Sequence, residues 1–175
     1  LLGTSIKPLW EELSKWTASK WPAASYENEL DKSQQTLSPS DFGFHNSLQK
    51  PDGSLCFIDL EYFGRDDPVK LIADFLWHPA MDLKPAYKKL WLRGAFDIFS
   101  QDSDLRRRFQ AAWPLYGLRW ALIMLNEYHQ DGWQKRLYAK LDPCQDRKKI
   151  QQQQLRKAAE VCSYLRRNEL VCPYV

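Results

Sequence analysis

The sequence contains no long apolar run and no large excess of charge of either sign. Its longest unbroken apolar stretch, Trp120 to Leu125, is far shorter than the ~20 residues of a membrane-spanning helix, and no signal peptide is recognisable. The 25 basic and 22 acidic residues leave a net charge of only +3, which does not indicate nucleic-acid binding. The nearest basic run, Arg106 to Arg108, is typical of a solvated face. We therefore expect neither a membrane nor a nucleic acid as partner.

Cysteine is also scarce, with four residues and no Cys-x-x-Cys pair. No His lies at zinc-finger spacing from any of them, so the pattern does not indicate a structural zinc site. A chain of this length builds a sizeable core without disulfides, which favours reduced thiols and a cytoplasmic protein. We expect the four cysteines to be small core residues: Cys56, Cys144, Cys162 and Cys172.

The apolar periodicity predicts one mostly helical α+β domain over residues 1–175, in three zones. Residues 1–36 form a leading helix over 5–21, with Pro8 in its first turn, and then a loop. Residues 37–79 carry strand signals around the turn Pro51-Asp52-Gly53, which predicts a short β-hairpin, and then a helix that ends before His78. Residues 80–175 are helical, with helices over 85–100, 103–128 (kinked or broken at Pro114) and 146–168.

The chemistry is concentrated in the second zone. Asp41 and Asn46 lie five residues apart in a loop, and the second strand of the hairpin delivers Asp59 at its end. In phosphoryl transfer a carboxylate orients the attacking hydroxyl, while an amide oxygen and a second carboxylate hold Mg²⁺ against the nucleotide phosphates. The order of these residues along the chain therefore predicts a phosphotransfer site rather than a solvated loop.

This segment resembles the aminoglycoside phosphotransferase and choline kinase-like family, a branch of the protein-kinase-like fold. That family has His-Gly-Asp-x-x-x-x-Asn, a hairpin, Ile-Asp-Trp/Phe-Glu, and then Gly-Asp-Pro with a further Asp in the following helix. The resemblance covers about residues 37–79. The matching residues here are Asp41, Asn46, Ile58-Asp59-Leu60-Glu61, Asp66-Asp67-Pro68 and Asp74.

The resemblance implies a C-terminal kinase-like lobe that transfers the γ-phosphate of ATP to a hydroxyl of a small molecule. It implies Asp41 as catalytic base, Asn46 and Asp59 as Mg²⁺ ligands, and Asp74 as a brace of the catalytic loop. Glu61 and Asp67 would support the site, and Glu61 has either a metal-side or a purely structural role. The residues that bind the acceptor are not predicted.

The chain departs from the family pattern in two places. Pro39-Ser40 replaces the His-Gly before the catalytic Asp, and His45 does not occupy the position of that His. No Gly-rich loop and no strand Lys precede Asp41, so we expect the N-terminal nucleotide lobe to be absent from a chain that begins at Leu1 without Met. The isolated chain is then expected to be inactive without a further lobe or partner chain.

Two other functions stay open. A kinase-like remnant that acts as a binding or scaffolding module would explain both departures, and a helical adapter unrelated to kinases would leave the hairpin unexplained. Ordinary structural roles are predicted for several other polar and aromatic residues: His78 and His129 at helix ends, and Trp77, Trp91, Trp113 and Trp120 in the core. Arg119, Asn126 and Glu127 either line an acceptor pocket or form a partly buried polar network.

Overall fold

The fold is α+β and mostly helical, as the sequence predicts. The computed structural model describes residues 6–22, 26–139, 146–167 and 169–175, and for 135–139 the backbone only. Within these ranges the strands are three residues long and the helices carry the core. The helices are α1 (Lys7–Lys20), α2 (Pro68–Trp77), α3 (Pro85–Ile98), α4 (Leu105–Met124), α5 (Gln130–Ala139) and α6 (Arg147–Arg166), and the strands are β1 (Thr36–Ser38), β2 (Ser47–Gln49), β3 (Leu55–Phe57) and β4 (Gly64–Asp66).

Helix α4 is the central element, because its two halves belong to two hydrophobic clusters. Its first half packs with α2 and α3, where Ile72, Phe96 and Phe109 are almost fully buried. Its second half packs with α1 and α6 around Leu13, Leu118 and other side chains of the same faces. Burying such side chains contributes roughly 1.5–3 kcal/mol each. No helix in the described ranges has the length and apolar character needed to cross a membrane.

Pro114 does not break α4, so of the kink or break predicted there, the break is wrong. The helix runs from Leu105 to Met124 with Pro114 inside it. Proline removes one helical N–H, and the carbonyls near it gain partners from neighbouring helices. Thr17 Oγ1 donates to the Ala111 carbonyl at 2.8 Å, and Trp77 Nε1 donates to the Trp113 carbonyl at 3.1 Å. These donors from distant parts of the sequence stabilise the helix near Pro114, where its own backbone hydrogen-bond pattern is interrupted.

The predicted hairpin is present, and a second strand pair encloses it. Strands β2 and β3 pair antiparallel with Ser47 opposite Phe57, on either side of the turn at Gly53, whose φ is 85°. Strands β1 and β4 also pair antiparallel, with Ser38 opposite Gly64. This pairing joins the two ends of the segment 39–63, so the loop after β1 and the loop before β4 lie side by side.

Other predicted boundaries differ by a few residues, and one helix was missed. The leading helix buries Ile6, Leu9 and Leu13 as expected, and α6 buries Ala158, Cys162 and Leu165. Helix α5 was not predicted, and the last four residues of the helix expected over 103–128 form a 3₁₀ turn. Ser5, Cys144 and Asn168, which figured in the predictions, lie outside the described residues.

Two predictions about individual side chains were wrong. Cys56 is exposed rather than in the core, as is its neighbour Leu55 in β3; the described cysteines Cys56, Cys162 and Cys172 are free. Arg108 is not part of a solvated face, since it is 1% exposed. Its guanidinium pairs with Asp102 at 2.7 Å and with Asp67 at 3.0 Å. Although burial opposes the charge, these two carboxylates raise the pKa of Arg108.

We predict that Arg108→Ala lowers the free energy of unfolding by about 3–5 kcal/mol, because it leaves two carboxylates without their buried partner. Urea unfolding followed by circular dichroism measures the change. The control is Arg107→Ala, an exposed neighbour on the same helix, which should cost about 0.5 kcal/mol or less. Equal losses in the two variants would refute the structural role of Arg108.

Candidate active site

The loop that carries Asp41 begins with strained backbone directly after β1. Ser40 has φ 63°, a left-handed conformation that a non-glycine residue adopts only when its surroundings impose it. Its N–H donates to Ser38 Oγ at 3.2 Å, and its own Oγ accepts from Lys70 Nζ at 2.8 Å and donates to the Tyr62 carbonyl at 3.2 Å. Three different elements therefore fix the residue before Asp41.

Asp41 is the acceptor for several surrounding donors. His45 Nε2 lies 3.0 Å from Oδ1, and His78 Nε2 lies 3.4 Å from the same oxygen. Asn46 Nδ2 donates to the Asp41 backbone carbonyl at 3.0 Å and to Oδ2 at 3.3 Å. The imidazoles of His78 and His45 lower the pKa of Asp41 to about 2, although partial burial acts against them. Asp41 is therefore ionised at every pH at which the protein would work.

The Asp41, His45 and His78 ligand atoms lie within 4.8 Å of one another, close enough to suggest a shared metal ion. The ring geometry argues against that. The two imidazoles stack at 3.9 Å with an angle of 5° between their planes. A ligating nitrogen directs its lone pair within the plane of its ring, and one ion cannot lie in two parallel planes.

The hydrogen bonding of His78 supports the same conclusion. The N–H of Ala80 donates to His78 Nδ1 at 3.1 Å, so Nδ1 is the acceptor nitrogen and Nε2 carries the proton that faces Asp41. A metal-bound histidine normally donates its second N–H to an acceptor, which is the reverse of this arrangement. The cluster thus holds the Asp41 carboxylate by hydrogen bonds rather than forming a metal cage.

The hairpin brings Asp59 back to the loop that carries Asp41, through Asn46. Residues Phe44–Asn46 form a 3₁₀ turn, and the Asn46 carbonyl accepts the Ile58 N–H at 2.9 Å, immediately before Asp59. Asp59 itself has φ 61°, the second strained non-glycine residue among those described. Both strained residues thus lie at or beside predicted site positions, where strain is commonly stored.

The predicted acidic residues Asp41, Asp59 and Glu61 all act on one hydroxyl. A hydrogen bond with Glu61 and the negative charge of Glu61 are the largest causes of the raised pKa of Tyr62, and the charges of Asp59 and Asp41 add smaller contributions. Glu61 and Asp59 are both exposed. Asp59 lies outside the group formed by Asp41, His45 and His78.

Asp74 is a buried carboxylate with several contacts, close to the loop that carries Asp41. It is 4% exposed, and both of its oxygens accept from Arg119 Nη1, at 2.6 and 2.7 Å. Trp120 Nε1 donates to Oδ1 at 2.9 Å, and Lys70 Nζ lies 4.0 Å from Oδ2. Burial raises the pKa of Asp74 although these donors act in the opposite direction.

Asp67 lies apart from this group and has a structural role. Its side chain caps α2 by accepting from the Val69 N–H at 2.9 Å, and its carboxylate pairs with Arg108. A capping side chain of this kind typically contributes about 1 kcal/mol. The residue thus fixes the start of the helix that carries Lys70 and Asp74 and that ends directly before His78.

Arg119 lies between two pockets. Arg119 and Asn126 both line a pocket of about 360 Å³, together with Trp10 and apolar residues of α4. On its other side Arg119 lines a pocket of about 430 Å³ with Lys70 and Tyr116. Arg119 therefore takes part both in a polar network, through Asp74, and in the walls of the two pockets.

The four Trp residues expected in the core lie in it or against it. Trp113 and Trp120 are buried, and Trp77 and Trp91 are partly buried against the core.

Sequence reasoning did not assign His45, His78 and Lys70 to the site. His45 was set aside because it does not match the family position, and His78 was expected only to pack or cap at a helix end. His78 and Asp41 are 37 positions apart in the sequence, with two hairpin strands and a helix between them. No local sequence pattern therefore predicts their contact. Scans of protein-family models and searches of curated proteins and of solved structures gave no match to this chain.

We predict that His78→Phe raises the pKa of Asp41 from about 2 towards its ordinary 3.8, because the variant keeps a ring but removes the N–H. A pKa lowered in the folded state contributes stability above the unfolded pKa, and this contribution disappears as pH falls through the folded pKa. The wild-type protein should therefore have stability above about pH 4 that the variant lacks, and the difference should disappear as the pH falls from about 4 to about 2. NMR titration of the Asp41 side-chain carbon measures the shift. The internal control is Asp52, whose pKa is lowered by Ser54 in the hairpin turn. The pKa of Asp52 should be the same in the variant and the wild type. An unchanged Asp41 titration would contradict the assigned contacts.

Proposed function

We propose that this chain is the catalytic-loop half of a kinase-like phosphotransferase that transfers the γ-phosphate of ATP to a hydroxyl of a small molecule. The observation that carries the proposal is the direct contact of Asn46 with Asp41, combined with the return of the hairpin to Asn46 immediately before Asp59. A proton acceptor and two oxygen ligands for a cation are the parts that phosphoryl transfer requires of this half of a kinase-like site.

Asp41 would orient the acceptor hydroxyl. Its carboxylate is ionised, and its loop is fixed through Ser40 and His45, so it offers a preorganised acceptor for the O–H of the substrate. As the alcohol oxygen bonds to the γ-phosphorus, the bond from that phosphorus to the β–γ bridging oxygen breaks, ADP leaves, and the hydroxyl proton passes to Asp41. The transition state is loose, so a weakly basic carboxylate suffices because positioning supplies most of the catalysis.

Asn46 and Asp59 fit the cation that this chemistry needs. Asn46 directs its amide nitrogen at Asp41, which leaves the amide oxygen as the atom to meet a cation. Asp59 is exposed and directly follows Ile58, whose N–H donates to the Asn46 carbonyl, so it contributes negative charge near Asn46. Hard oxygen ligands of this kind suit Mg²⁺, which would neutralise charge on the phosphates when bound. Glu61 would add to the negative field, and Asp74 would brace the loop through Lys70.

The nucleotide would be held by a further lobe or a partner chain. The described part of the segment 37–63 exposes many large apolar side chains, which is unusual for a surface that faces only water. A second lobe that covers the hairpin would bury them and close the adenine side of the cleft. The exposed side chains are Leu37, Phe44, Leu48, Leu55, Ile58, Leu60, Tyr62 and Phe63.

A second candidate is a kinase-like remnant that binds without catalysis. It is favoured by the hydrogen bonding of Asp41, whose two oxygens already face His45 and Asn46. If those contacts are permanent, the carboxylate cannot receive a substrate proton. The two candidates differ in one measurable property, which is turnover that depends on Asp41.

We predict that Asp41→Asn lowers kcat by about 10²–10⁴-fold in the encoded protein of full natural length, because the amide cannot accept the hydroxyl proton. The assay follows ADP production from Mg·ATP with a panel of small-molecule alcohols. Asp52→Asn makes the same chemical change in the exposed hairpin turn and should leave kcat within about twofold. Wild-type turnover that survives Asp41→Asn would rule out the phosphotransferase assignment of Asp41, and no turnover with any acceptor would favour the remnant.

A further inference from the structure

An apolar groove of about 720 Å³ lies between α2 and α3. Leu71 and Phe75 of α2 form one wall, and Leu90, Trp91 and Ile98 of α3 form the other. Leu90 is 53% exposed and Ile98 is 77% exposed, so the described part of the chain does not cover these side chains. The volume lies within the range of small-molecule sites, which are mostly apolar and largely preformed.

Gly94 keeps the groove open. It lies inside α3, where glycine is among the least favourable residues, and its backbone does not adopt a left-handed conformation. A Cβ built on Gly94 would meet no atom within 4 Å. Neither backbone geometry nor packing therefore requires glycine here. Its effect is to leave space in the groove wall at a position where any side chain would project into the cavity.

One end of the groove lies near the loop that carries Asp41. Phe44 lines the groove, and the next residue, His45, contacts the Asp41 carboxylate. Phe75 of α2 also lines the groove, and His78, the residue that directly follows α2, contacts the same carboxylate. An occupant that reaches this end of the groove therefore lies near the two histidines that face Asp41.

We propose that the groove binds the aliphatic chain of an amphiphilic alcohol whose hydroxyl lies at Asp41. This inference rests on the proposed function and adds the substrate class. The groove walls offer almost no polar group to orient a ligand, so orientation has to come from the hydroxyl end, where Asp41 and its histidines provide it. Ile98 lies seven residues after Trp91, or about 10 Å along α3, which gives the groove room for an extended chain.

The size of the groove favours a small ligand over a protein partner. A stable protein–protein interface buries more than about 1,000 Å² and has a polar rim that supplies hydrogen bonds. The groove offers only a small part of such an area, and its lining is almost entirely apolar. The apolar lining instead matches an alkyl chain, whose transfer from water is favourable for each methylene added.

The test uses 1-hexanol and 1-octanol as probes of the 175-residue chain, followed by methyl and amide NMR. We expect 1-octanol to bind about tenfold more tightly than 1-hexanol, because two methylenes more are buried. Nuclear Overhauser contacts should join the C1 methylene of 1-octanol to the His45 and His78 rings, and its terminal methyl group to Ile98. Equal affinity for the two alcohols, or a C1 methylene remote from both histidines, would overturn the proposal.

Gly94→Leu should lower the affinity for 1-octanol at least tenfold without lowering the melting temperature, since it fills the groove and replaces a poor helix former. Arg93→Leu adds the same side chain at the neighbouring exposed position and should leave the affinity unchanged. Unaltered binding in Gly94→Leu would refute the site. A concentration-dependent dimer that Gly94→Leu abolishes would likewise refute it and assign the groove to a second copy of the chain.

Neither ATP nor Mg²⁺ is present in these titrations, so the two proposals fail separately. If the two alcohols bind equally well, the groove proposal is refuted and the Asp41 activity assay is unaffected. If Asp41→Asn keeps full activity, the phosphotransferase proposal is refuted, whatever the groove binds.

Discussion

The buried carboxylate of Asp74 connects the helical core to the loop that holds Asp41. One path runs from Asp74 to Trp120, whose ring meets the ring of His78 edge-on at 4.5 Å, and from His78 to Asp41. The other runs through Lys70, which lies 4.0 Å from Asp74 and donates to Ser40. A buried charge is costly without partners, so the side chains around Asp74 have little freedom to move. The residues of both paths, which contact Asp74 directly or through one neighbour, are held in place by the same contacts.

The same constraint explains why the strained residues are tolerated. Left-handed backbone at a non-glycine residue costs of order 1–3 kcal/mol and persists only where surrounding contacts over-determine it. Ser40 donates hydrogen bonds to β1 and to the loop before β4 and accepts one from α2, and Asp59 follows the residue whose N–H donates to Asn46. In the proposed function, this rigidity replaces the support that a His-Gly pair supplies in the family that the loop resembles.

Local signals predicted the parts of the fold that local forces determine. The turn at Gly53 and the apolar spacing of α1 predicted the hairpin and the first helix, because turn chemistry and periodicity are readable within a few residues. The β1–β4 pair was missed because three-residue strands are too short to show a period. Pro114 and Arg108 were misjudged because their partners, Thr17 for the carbonyl near Pro114 and Asp67 for Arg108, are distant in sequence. The candidate site also has a part that the sequence predicts and a part that it does not. The contact between Asp41 and Asn46 follows from their spacing in the sequence, whereas the contacts of the two histidines with Asp41 depend on tertiary packing.

The most direct test of the account is whether Asn46 and Asp59 form one oxygen site for a divalent cation. Titration of the chain with Mn²⁺ and ATP, read by paramagnetic broadening of backbone amides, reports the location of such an ion. Mn²⁺ prefers oxygen ligands, as Mg²⁺ does. The account predicts that the amides of Asn46 and Asp59 broaden first and that Asp59→Asn abolishes the effect, with Asp52→Asn as the unaffected control. Broadening centred on His45 and His78, or spread evenly over exposed carboxylates, would contradict it.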